Sequence, residues 1–286
     1  MLLEKERSGD FRILVVAPHP DDEVIAAGGL ITRACKLGID VGVVLITNGD
    51  AYQRAAKVLA RGQVPTAKTY YQLGLTRQRE SINALTYLGV QPQNIIFLGF
   101  ADASLKFLLD KYWEQPCNIG GIGTTYCPYK SGVYNPGVAY TGENLYRAMQ
   151  TIIKSFKPTH IIYPHEKDTH DDHKATNRLI NQIVTRSRIE AVLLNYLVHF
   201  PQWPVPKGLY QDLDMQLPPF EEVENWTRLK LTTDEIKRKY QAILLYKSQL
   251  YTLKDFLLSF DRSSEVFAHH HIKYERLPSS AKKSNY

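Results

Sequence analysis

The 286-residue sequence predicts an α/β fold of the Rossmann-like kind, in which a mostly parallel sheet carries helices on both faces. Two observations predict this fold class. Short apolar runs of strand length recur along the chain, and a stretch with helical spacing follows most of them. Because parallel strands need crossover connections, the alternation favours parallel pairing. Open sheets of this kind bind ligands at the carboxyl ends of their strands, so we expect the active site there.

The individual elements follow from apolar runs, helical periodicity and terminating glycines. The first strand covers residues 13–17, and the helix that follows it, 24–37, ends at Gly38, a residue type that favours helix termination. Four further strands are predicted at 41–47, 94–98, 159–163 and 191–198. Four further helices are predicted at 77–88, 143–156, 173–185 and 233–250. This length and pattern predict a single domain over residues 1–286.

Two segments interrupt the alternation. Residues 104–140 form a long connection that is rich in Gly, Tyr and Pro. Long connections of this type are typically functional, and the many aromatic residues are unlike a disordered linker, so we predict a lid-like insertion over the site. A compact surface loop is the alternative. From about residue 278 the polar composition predicts a flexible tail.

Composition excludes several classes of function. The net charge of +6 comes from scattered Lys and Arg, without the basic stripe and interleaved aromatics of a nucleic-acid-binding protein. No apolar run reaches the roughly 18 residues that a transmembrane helix needs. The charged N-terminal residues do not resemble a signal peptide, which predicts a cytoplasmic protein, or an exported one whose leader has been removed. Cys117 and Cys127 would pair only in an exported protein, and the oligomeric state, monomer or homo-oligomer, stays open.

The first candidate site follows the first predicted strand, where a histidine precedes three consecutive acids. Acids favour the first turn of a helix, so capping alone would explain part of this pattern. Capping does not explain why a histidine, His19, lies at the end of the strand. If His19 caps the helix, its spacing from Asp22 lets both side chains converge on a metal ion such as zinc. Asp21 could then hold the attacking water, as a base in metal-assisted hydrolysis.

The second candidate site follows the fourth predicted strand and contains His170 and His173, neighbours on one helical turn. Catalytic zinc typically has three protein ligands and one open position. His19, Asp22 and one of these two histidines make up that number. The other histidine is free to stabilise an oxyanion or to act as an acid. The chain lacks both the Gly-x-Gly-x-x-Gly pattern of dinucleotide binding and the Gly-x-Ser-x-Gly pattern of serine hydrolases.

The motifs resemble those of the LmbE-like, or PIG-L-like, family of zinc-dependent N-deacetylases. The family's Ala-His-Pro-Asp-Asp-Glu motif is present with Pro18 in its first position, and its His-Pro-Asp-His motif is present with Asp171 in place of proline. Further similarities are Thr47-Asn-Gly-Asp50, Arg77-x-x-Glu80 and Leu98-Gly-Phe-Ala-Asp102. Two further positions depart from the family pattern. Asp168 stands where some relatives have tyrosine, and Tyr246 stands where the C-terminal pattern has histidine.

This resemblance implies a role for each residue of the motifs. His19, Asp22 and His173 correspond to the zinc ligands, with one Zn²⁺ per chain and Fe²⁺ as an alternative ion. Asp21 corresponds to the general base and His170 to the group that stabilises the oxyanion, and either one could protonate the departing amine. Arg77 and Asp102 match positions that contact the substrate sugar. We also expect Asp168 to orient His170.

The implied function is removal of an N-acetyl group from an amino sugar of the N-acetylglucosamine type, or from a conjugate of it. The expected partner is therefore a small molecule. Two alternatives remain at this stage. The first is a zinc amidase for another N-acylated substrate, such as a thiol precursor, a lipid or an antibiotic glycoside. The second is a non-catalytic sugar-binding protein, which the presence of all five metal and proton-transfer residues disfavours.

Overall fold

The structure is a computed structural model that describes residues 11–219 and 225–271. The predicted tail from about residue 278 lies outside the described residues. Seven strands are found in these two ranges: β1 Arg12–Ala17, β2 Asp40–Thr47, β3 Ile95–Phe100, β4 His160–Pro164, β5 Val192–Tyr196, β6 Trp226–Lys230 and β7 Ser264–His270. Eight α-helices accompany them: α1 Asp22–Lys36, α2 Gln53–Leu59, α3 Ala67–Leu88, α4 Leu105–Asp110, α5 Gly142–Phe156, α6 Asp171–Ser187, α7 Thr233–Ile243 and α8 Lys247–Leu258. No helix in these two ranges is long and apolar enough to cross a membrane.

All seven strands belong to one sheet, in the order β3-β2-β1-β4-β5-β7-β6. The five strands from β3 to β5 pair in parallel, which confirms the predicted mostly parallel α/β fold. Strands β6 and β7, which the sequence pattern did not predict, extend the sheet by antiparallel pairing. The chain reverses its direction of strand addition at β1, which lies between β2 and β4.

Helices cover both faces of the sheet, so the central strands are buried on both sides. Alternate residues of β1 belong to different hydrophobic clusters: Ile13 and Val15 to one, Leu14 and Val16 to the other. The first cluster packs against α1, α3, α7 and α8, and the second packs against α4, α5 and α6. Burial on both faces explains why these strands read as continuous apolar runs in the sequence.

Helix α1 is interrupted at Ala27, whose φ of −138° and ψ of 17° are not helical. The break frees backbone N–H groups in the middle of the helix. Those of Gly29 and Leu30 donate to the Glu265 carboxylate over 2.8 and 2.9 Å, and the Lys239 ammonium donates to the same carboxylate over 2.8 Å. The residues after Ala27 therefore begin a second helical segment, capped by a side chain from β7.

The predicted helix over residues 233–250 is wrong as one continuous element. The structure has two helices there, α7 and α8, which are separated by residues 244–246. Tyr246, fully buried at the junction, forms the N-cap position of α8, and its hydroxyl donates to Glu23. Because the helix is broken here, the Tyr246 side chain can be buried in the core. Helix α3 also begins at Ala67, ahead of the predicted start at residue 77, because Thr66 and Thr69 form a capping box.

Residues 104–140 contain α4 and an irregular segment that packs along the β3 edge of the sheet. The backbone N–H of Tyr134 donates to the Phe97 carbonyl over 2.7 Å, and the buried Tyr129 hydroxyl donates to Asp50 over 2.7 Å. Cys117 and Cys127 are both buried with free thiols. In this structure the segment packs as a compact loop, and its role as a lid stays a prediction.

Candidate metal and catalytic site

The predicted site residues gather at the carboxyl ends of the parallel strands. His19 follows β1, Asp102 follows β3, and His170 and His173 lie where β4 leads into α6. These ends meet around β1, where the order of strand addition reverses, the position at which open α/β sheets bind ligands. The predicted site residues therefore come together at one edge of the sheet.

The first motif differs from the prediction in its helix cap. The residue at the N-cap of α1 is Asp21, not His19, and it has a φ of 115°. His19 therefore lies in the turn that precedes the helix. The two predicted ligands still converge, because the Asp22 Oδ2 accepts a hydrogen bond from the His19 backbone N–H over 3.0 Å and lies 3.2 Å from Nδ1 of the same histidine.

The Asp22 carboxylate lies between the imidazoles of the two motifs. Its Oδ2 is 3.2 Å from Nδ1 of His19 and 3.1 Å from Nε2 of His173. The opposite ring nitrogen of each histidine faces another buried acid. Nε2 of His19 is 3.1 Å from Asp102 and 3.3 Å from Asp172, and Nδ1 of His173 is 3.1 Å from Asp168. A carboxylate behind each imidazole is the arrangement that orients histidine ligands of metal ions.

Several sets of side chains in the described parts of the chain could hold a cation. Three sets bring one donor atom from each member within 4.8 Å of the others: His19, His170 and His173; Asp22, His173 and His199; and His19, Asp102 and Asp172. Each predicted ligand belongs to at least one set, and no set contains all three. Asp22 is thus adjacent to both of the other predicted ligands, His19 and His173. The three residues lie inside a larger cluster of groups that could bind a metal.

The donor chemistry of this cluster fits a divalent metal. Imidazole nitrogens with one carboxylate oxygen suit zinc, and also iron. Neither ring nitrogen of the fully buried His173 has a hydrogen-bond partner of good geometry in the described residues. Although burial opposes protonation, the neighbouring Asp22 and Asp168 carboxylates raise the pKa of His173 to about 9. Two carboxylates around one imidazole thus favour a positive charge at this point.

Asp21 is held by the guanidinium of Arg77, whose Nη2 lies 3.3 Å from its Oδ2. Arg77 also donates to the carbonyl oxygens of Gly49 over 2.7 Å and Pro20 over 2.6 Å. Burial raises the pKa of Asp21 to about 8, against the opposing effect of Arg77. Arg77 therefore positions Asp21 and the turn around it, and its contact with a sugar stays a prediction. Asp102 accepts from the Ala51 backbone N–H over 2.9 Å in addition to facing His19, and its sugar contact likewise stays a prediction.

His170 begins α6, and its Nδ1 accepts from the Asp172 backbone N–H over 3.2 Å. Burial lowers its pKa to about 4, so the ring is neutral. The expectation that Asp168 orients this ring is wrong. Asp168 accepts from the backbone N–H of His170 over 2.9 Å, and its other oxygen faces the ring of His173.

His199, which the sequence analysis missed, lies beside the same cluster. Its ring centroid is 4.8 Å from that of His173 and 5.1 Å from that of His170. Burial lowers its pKa to about 3, so this imidazole is neutral as well. His199 follows β5, so the rule that ligands bind at the carboxyl ends of strands would have found it.

A cavity of about 400 Å³ opens onto these groups. Its polar floor contains His19, Asp21, Asp22, Arg77, Asp102 and His170. Leu253 and Phe256 of α8 and Tyr52 provide an apolar wall, next to His199 and Gln249. No lining residue in the described ranges comes from 104–140. The cavity therefore combines a charged floor with an apolar rim, as small-molecule sites do.

The chain is similar to known proteins in both sequence and fold. The family model described as GlcNAc-PI de-N-acetylase (PIG-L) matches residues 14–184. A 1D-myo-inositol 2-acetamido-2-deoxy-alpha-D-glucopyranoside deacetylase from Mycobacterium sp. (strain KMS) is 28% identical over 199 residues, which cover 68% of this chain and 53% of the relative. This chain thus spans about half the length of the curated relative.

Two solved structures share the fold at low sequence identity. The A40926 pseudoaglycone deacetylase has a TM-score of 0.62 at 22% identity, covering 93% of this chain and 99% of its own. The 4-carboxy-2-hydroxymuconate hydratase from Pseudomonas putida KT2440 has a TM-score of 0.59 at 15% identity, covering 94% and 100%. The fold therefore occurs with more than one activity.

Proposed function

Since the chain belongs to the GlcNAc-PI de-N-acetylase (PIG-L) family, we propose that it is a metal-dependent hydrolase that removes an N-acetyl group from an amino sugar of the N-acetylglucosamine type, or from a conjugate of it. One observation carries the proposal. Asp22 lies between two imidazoles whose other nitrogens each face a buried carboxylate, at the floor of a small-molecule cavity. Such a floor is suited to holding a cation next to a bound substrate.

We propose His19, Asp22 and His173 as the metal ligands, with one Zn²⁺ per chain and Fe²⁺ as the alternative ion. When bound, the ion polarises the amide carbonyl and makes water more acidic. Asp102, Asp172 and Asp168 fix the orientation of the two imidazoles from behind. The protein thereby leaves one side of the cluster open toward the cavity for the substrate.

Asp21 is the proposed general base. It lies in the cavity floor and Arg77 fixes its carboxylate, so it is placed to take a proton from the attacking water. After that transfer Asp21 carries the proton as a carboxylic acid. It can then deliver the proton to the departing amine, and we propose it for this second step as well.

His170 is the proposed donor to the oxyanion. Its Nδ1 accepts a hydrogen bond from the Asp172 backbone, so the proton of the neutral ring lies on Nε2. A pKa of about 4 keeps the ring neutral at pH 7, so it has no second proton to give to an amine and its one N–H can donate a hydrogen bond. The imidazole thus stabilises negative charge that develops on the amide oxygen.

Arg77 and Asp102 line the cavity and are the proposed contacts for the hydroxyl groups of the sugar. The apolar rim also suits substrates with an apolar group beside the sugar. A thiol precursor, a lipid or an antibiotic glycoside carrying another acyl group therefore remains the alternative substrate. A second candidate activity is hydration of a carbon–carbon double bond, because a hydratase shares the fold. The family match over more than half of the chain favours deacetylation.

The decisive experiment incubates metal-loaded protein with a panel of N-acetylated sugars and their conjugates, followed by mass spectrometry for loss of acetyl. We expect acetate release, its abolition by chelation and its recovery when zinc is added back. An unsaturated dicarboxylate in the panel tests for hydration as a gain of water. Full activity in rigorously metal-free protein would contradict the proposal, as would hydration without any acetate release.

A further inference from the structure

A second buried carboxylate lies behind Asp21, outside the cavity. Glu23 is fully buried, and its Oε1 accepts hydrogen bonds from two hydroxyl groups: that of Ser81 over 3.1 Å and that of Tyr246. The two hydroxyl oxygens are 3.2 Å apart. We call these three residues the Glu23 cluster. It joins α1, α3 and the junction between α7 and α8.

The other oxygen of Glu23 holds the backbone of Asp21. Oε2 accepts from the Asp21 N–H over 3.0 Å. With a φ of 115°, Asp21 has a backbone conformation that non-glycine residues rarely adopt and that persists only when its surroundings enforce it. Arg77 contacts the side chain of this residue and Glu23 contacts its backbone. The proposed base is thus fixed from two sides.

Two further features distinguish the cluster from an ordinary core. No ion pair to Glu23 is found in residues 11–219 and 225–271, so its carboxylate depends on hydrogen bonds alone. None of the three residues lines the cavity. Because both hydroxyls use Oε1, Oε2 stays available for the backbone N–H of Asp21.

We propose that Tyr246 and Ser81 are positioning residues, which fix the Glu23 carboxylate and through it the strained backbone of the base, Asp21. This inference rests on the proposed function, since it requires that Asp21 act in the reaction. The residues touch no substrate and act through geometry alone. Loss of one hydroxyl frees the Glu23 carboxylate to rotate, so Asp21 loses its fixed distance to the attacking water.

The first test is Tyr246→Phe, which removes the hydroxyl and keeps the ring. We expect kcat to fall on the order of tenfold, because small displacements of a catalytic group are costly. KM and the metal content should stay unchanged, since neither the cavity wall nor the proposed ligands are altered. Tyr163→Phe is the matched control. Tyr163 is also fully buried and loses a 2.6 Å hydrogen bond to Asn181, but does not touch the Glu23 cluster, so kcat should not change.

The second test repeats Tyr246→Phe in an Asp21→Asn background. If Tyr246 acts through Asp21, the hydroxyl should no longer matter there, and the two losses should not multiply. An equal factor in both backgrounds would overturn the inference and leave the proposed base intact. If Asp21→Asn alone leaves turnover unchanged, the role of Asp21 in the proposed function fails instead.

Ser81→Ala provides an independent variant of smaller volume change, should Tyr246→Phe fail to fold. It removes the second hydroxyl on Oε1 and should lower kcat at constant KM and metal content, again only when Asp21 is present. Normal kcat in Ser81→Ala, or in a folded Tyr246→Phe protein, would contradict the positioning role.

Discussion

Helix α1 begins twice, at Asp22 and again after the break at Ala27, and buried carboxylates lie at both beginnings. At the second, Glu265 accepts from two backbone N–H groups and from the Lys239 ammonium, so one negative charge meets one positive charge. At the first, buried acids outnumber permanent cations: Asp21, Asp22, Asp102, Asp168 and Asp172 surround two histidines, with Arg77 as the one arginine or lysine that pairs with them in the described residues.

This difference shows which of the two groups of charged residues has all its charges compensated without a ligand. A buried charge is tolerated when it is paired and hydrogen-bonded, and the Glu265–Lys239 pair meets both conditions with protein groups alone. At the first beginning the surplus of acids needs protons or a bound cation, and burial accordingly raises the pKa of Asp21 to about 8. We therefore assign a structural role to the Glu265–Lys239 pair at the second beginning of α1. We assign ligand binding to the acid-rich cluster at the first beginning.

The largest expected effect separates two neighbours at the first beginning. Asp21→Asn keeps the shape and removes the proposed base, so turnover should fall about 10²–10⁴-fold while the metal stays bound. Asp22→Asn removes a charged ligand, so metal content and turnover should fall together. Metal analysis and steady-state kinetics on both variants decide the assignment. Loss of metal from Asp21→Asn with retention by Asp22→Asn would reverse the two roles.

At the second beginning, Lys239→Met should cost stability rather than function. Removing one partner of a buried ion pair leaves the other charge uncompensated, which typically costs about 3–5 kcal/mol. Denaturant unfolding measures this loss, and the folded variant should keep its metal and its kcat. The exposed pair of Lys230 with Asp214 provides the control, because Lys230→Met should change the free energy of unfolding by less than about 1 kcal/mol. If the Lys239→Met variant lost its metal, the second beginning of α1 would not be purely structural, and the proposed difference between the two beginnings would be wrong.

A smaller effect is expected behind the site, at Asp168. Its carboxylate faces Nδ1 of His173, so Asp168→Asn should weaken metal binding by roughly 10–100-fold through the misoriented ligand. Competition with a chelator of known affinity measures this change. Asp171→Asn, in the same motif but exposed and paired with Lys106, should leave metal affinity as it is. Equal affinities for both variants would argue against the proposed metal position.

The smallest expected effect tests the close packing at the second beginning. A Cβ on Gly29 would lie 2.5 Å from a methyl carbon of Leu231. Gly29→Ala should therefore cost on the order of 1 kcal/mol, because the overpacking exceeds the gain in helix propensity. Thermal unfolding measures it, and kcat should be unchanged. A more stable Gly29→Ala protein would show that Leu231 moves aside freely.

The sequence predicted the parallel half of the fold well, since strands buried on both faces leave continuous apolar runs and their helices leave a clear period. It also predicted which strand ends carry His19, Asp22 and His173, because local spacing is enough to place neighbours in one turn. The break at Ala27 was not predicted. It depends on Glu265 and Lys239, which contact α1 from more than 200 residues away along the chain.

The same limit applies within the site. Which acid lies behind which histidine is decided by the packing of β4, β5 and α6, so the sequence placed Asp168 near the wrong ring. Tyr246 was identified only as a departure from a motif. Its contact with Glu23 required the division between α7 and α8, which periodicity alone did not indicate.

The position of β7 has a consequence for the order of events during synthesis. This strand is the last of those in residues 11–219 and 225–271, yet it lies between β5 and β6 and supplies Glu265 to α1. As the ribosome releases the chain, the parallel strands can pair early, whereas β6 has no neighbour until β7 emerges. The second segment of α1 likewise lacks its cap until then. A nascent chain that stops before residue 264 therefore exposes an unpaired sheet edge, which makes it a substrate for chaperones and proteases.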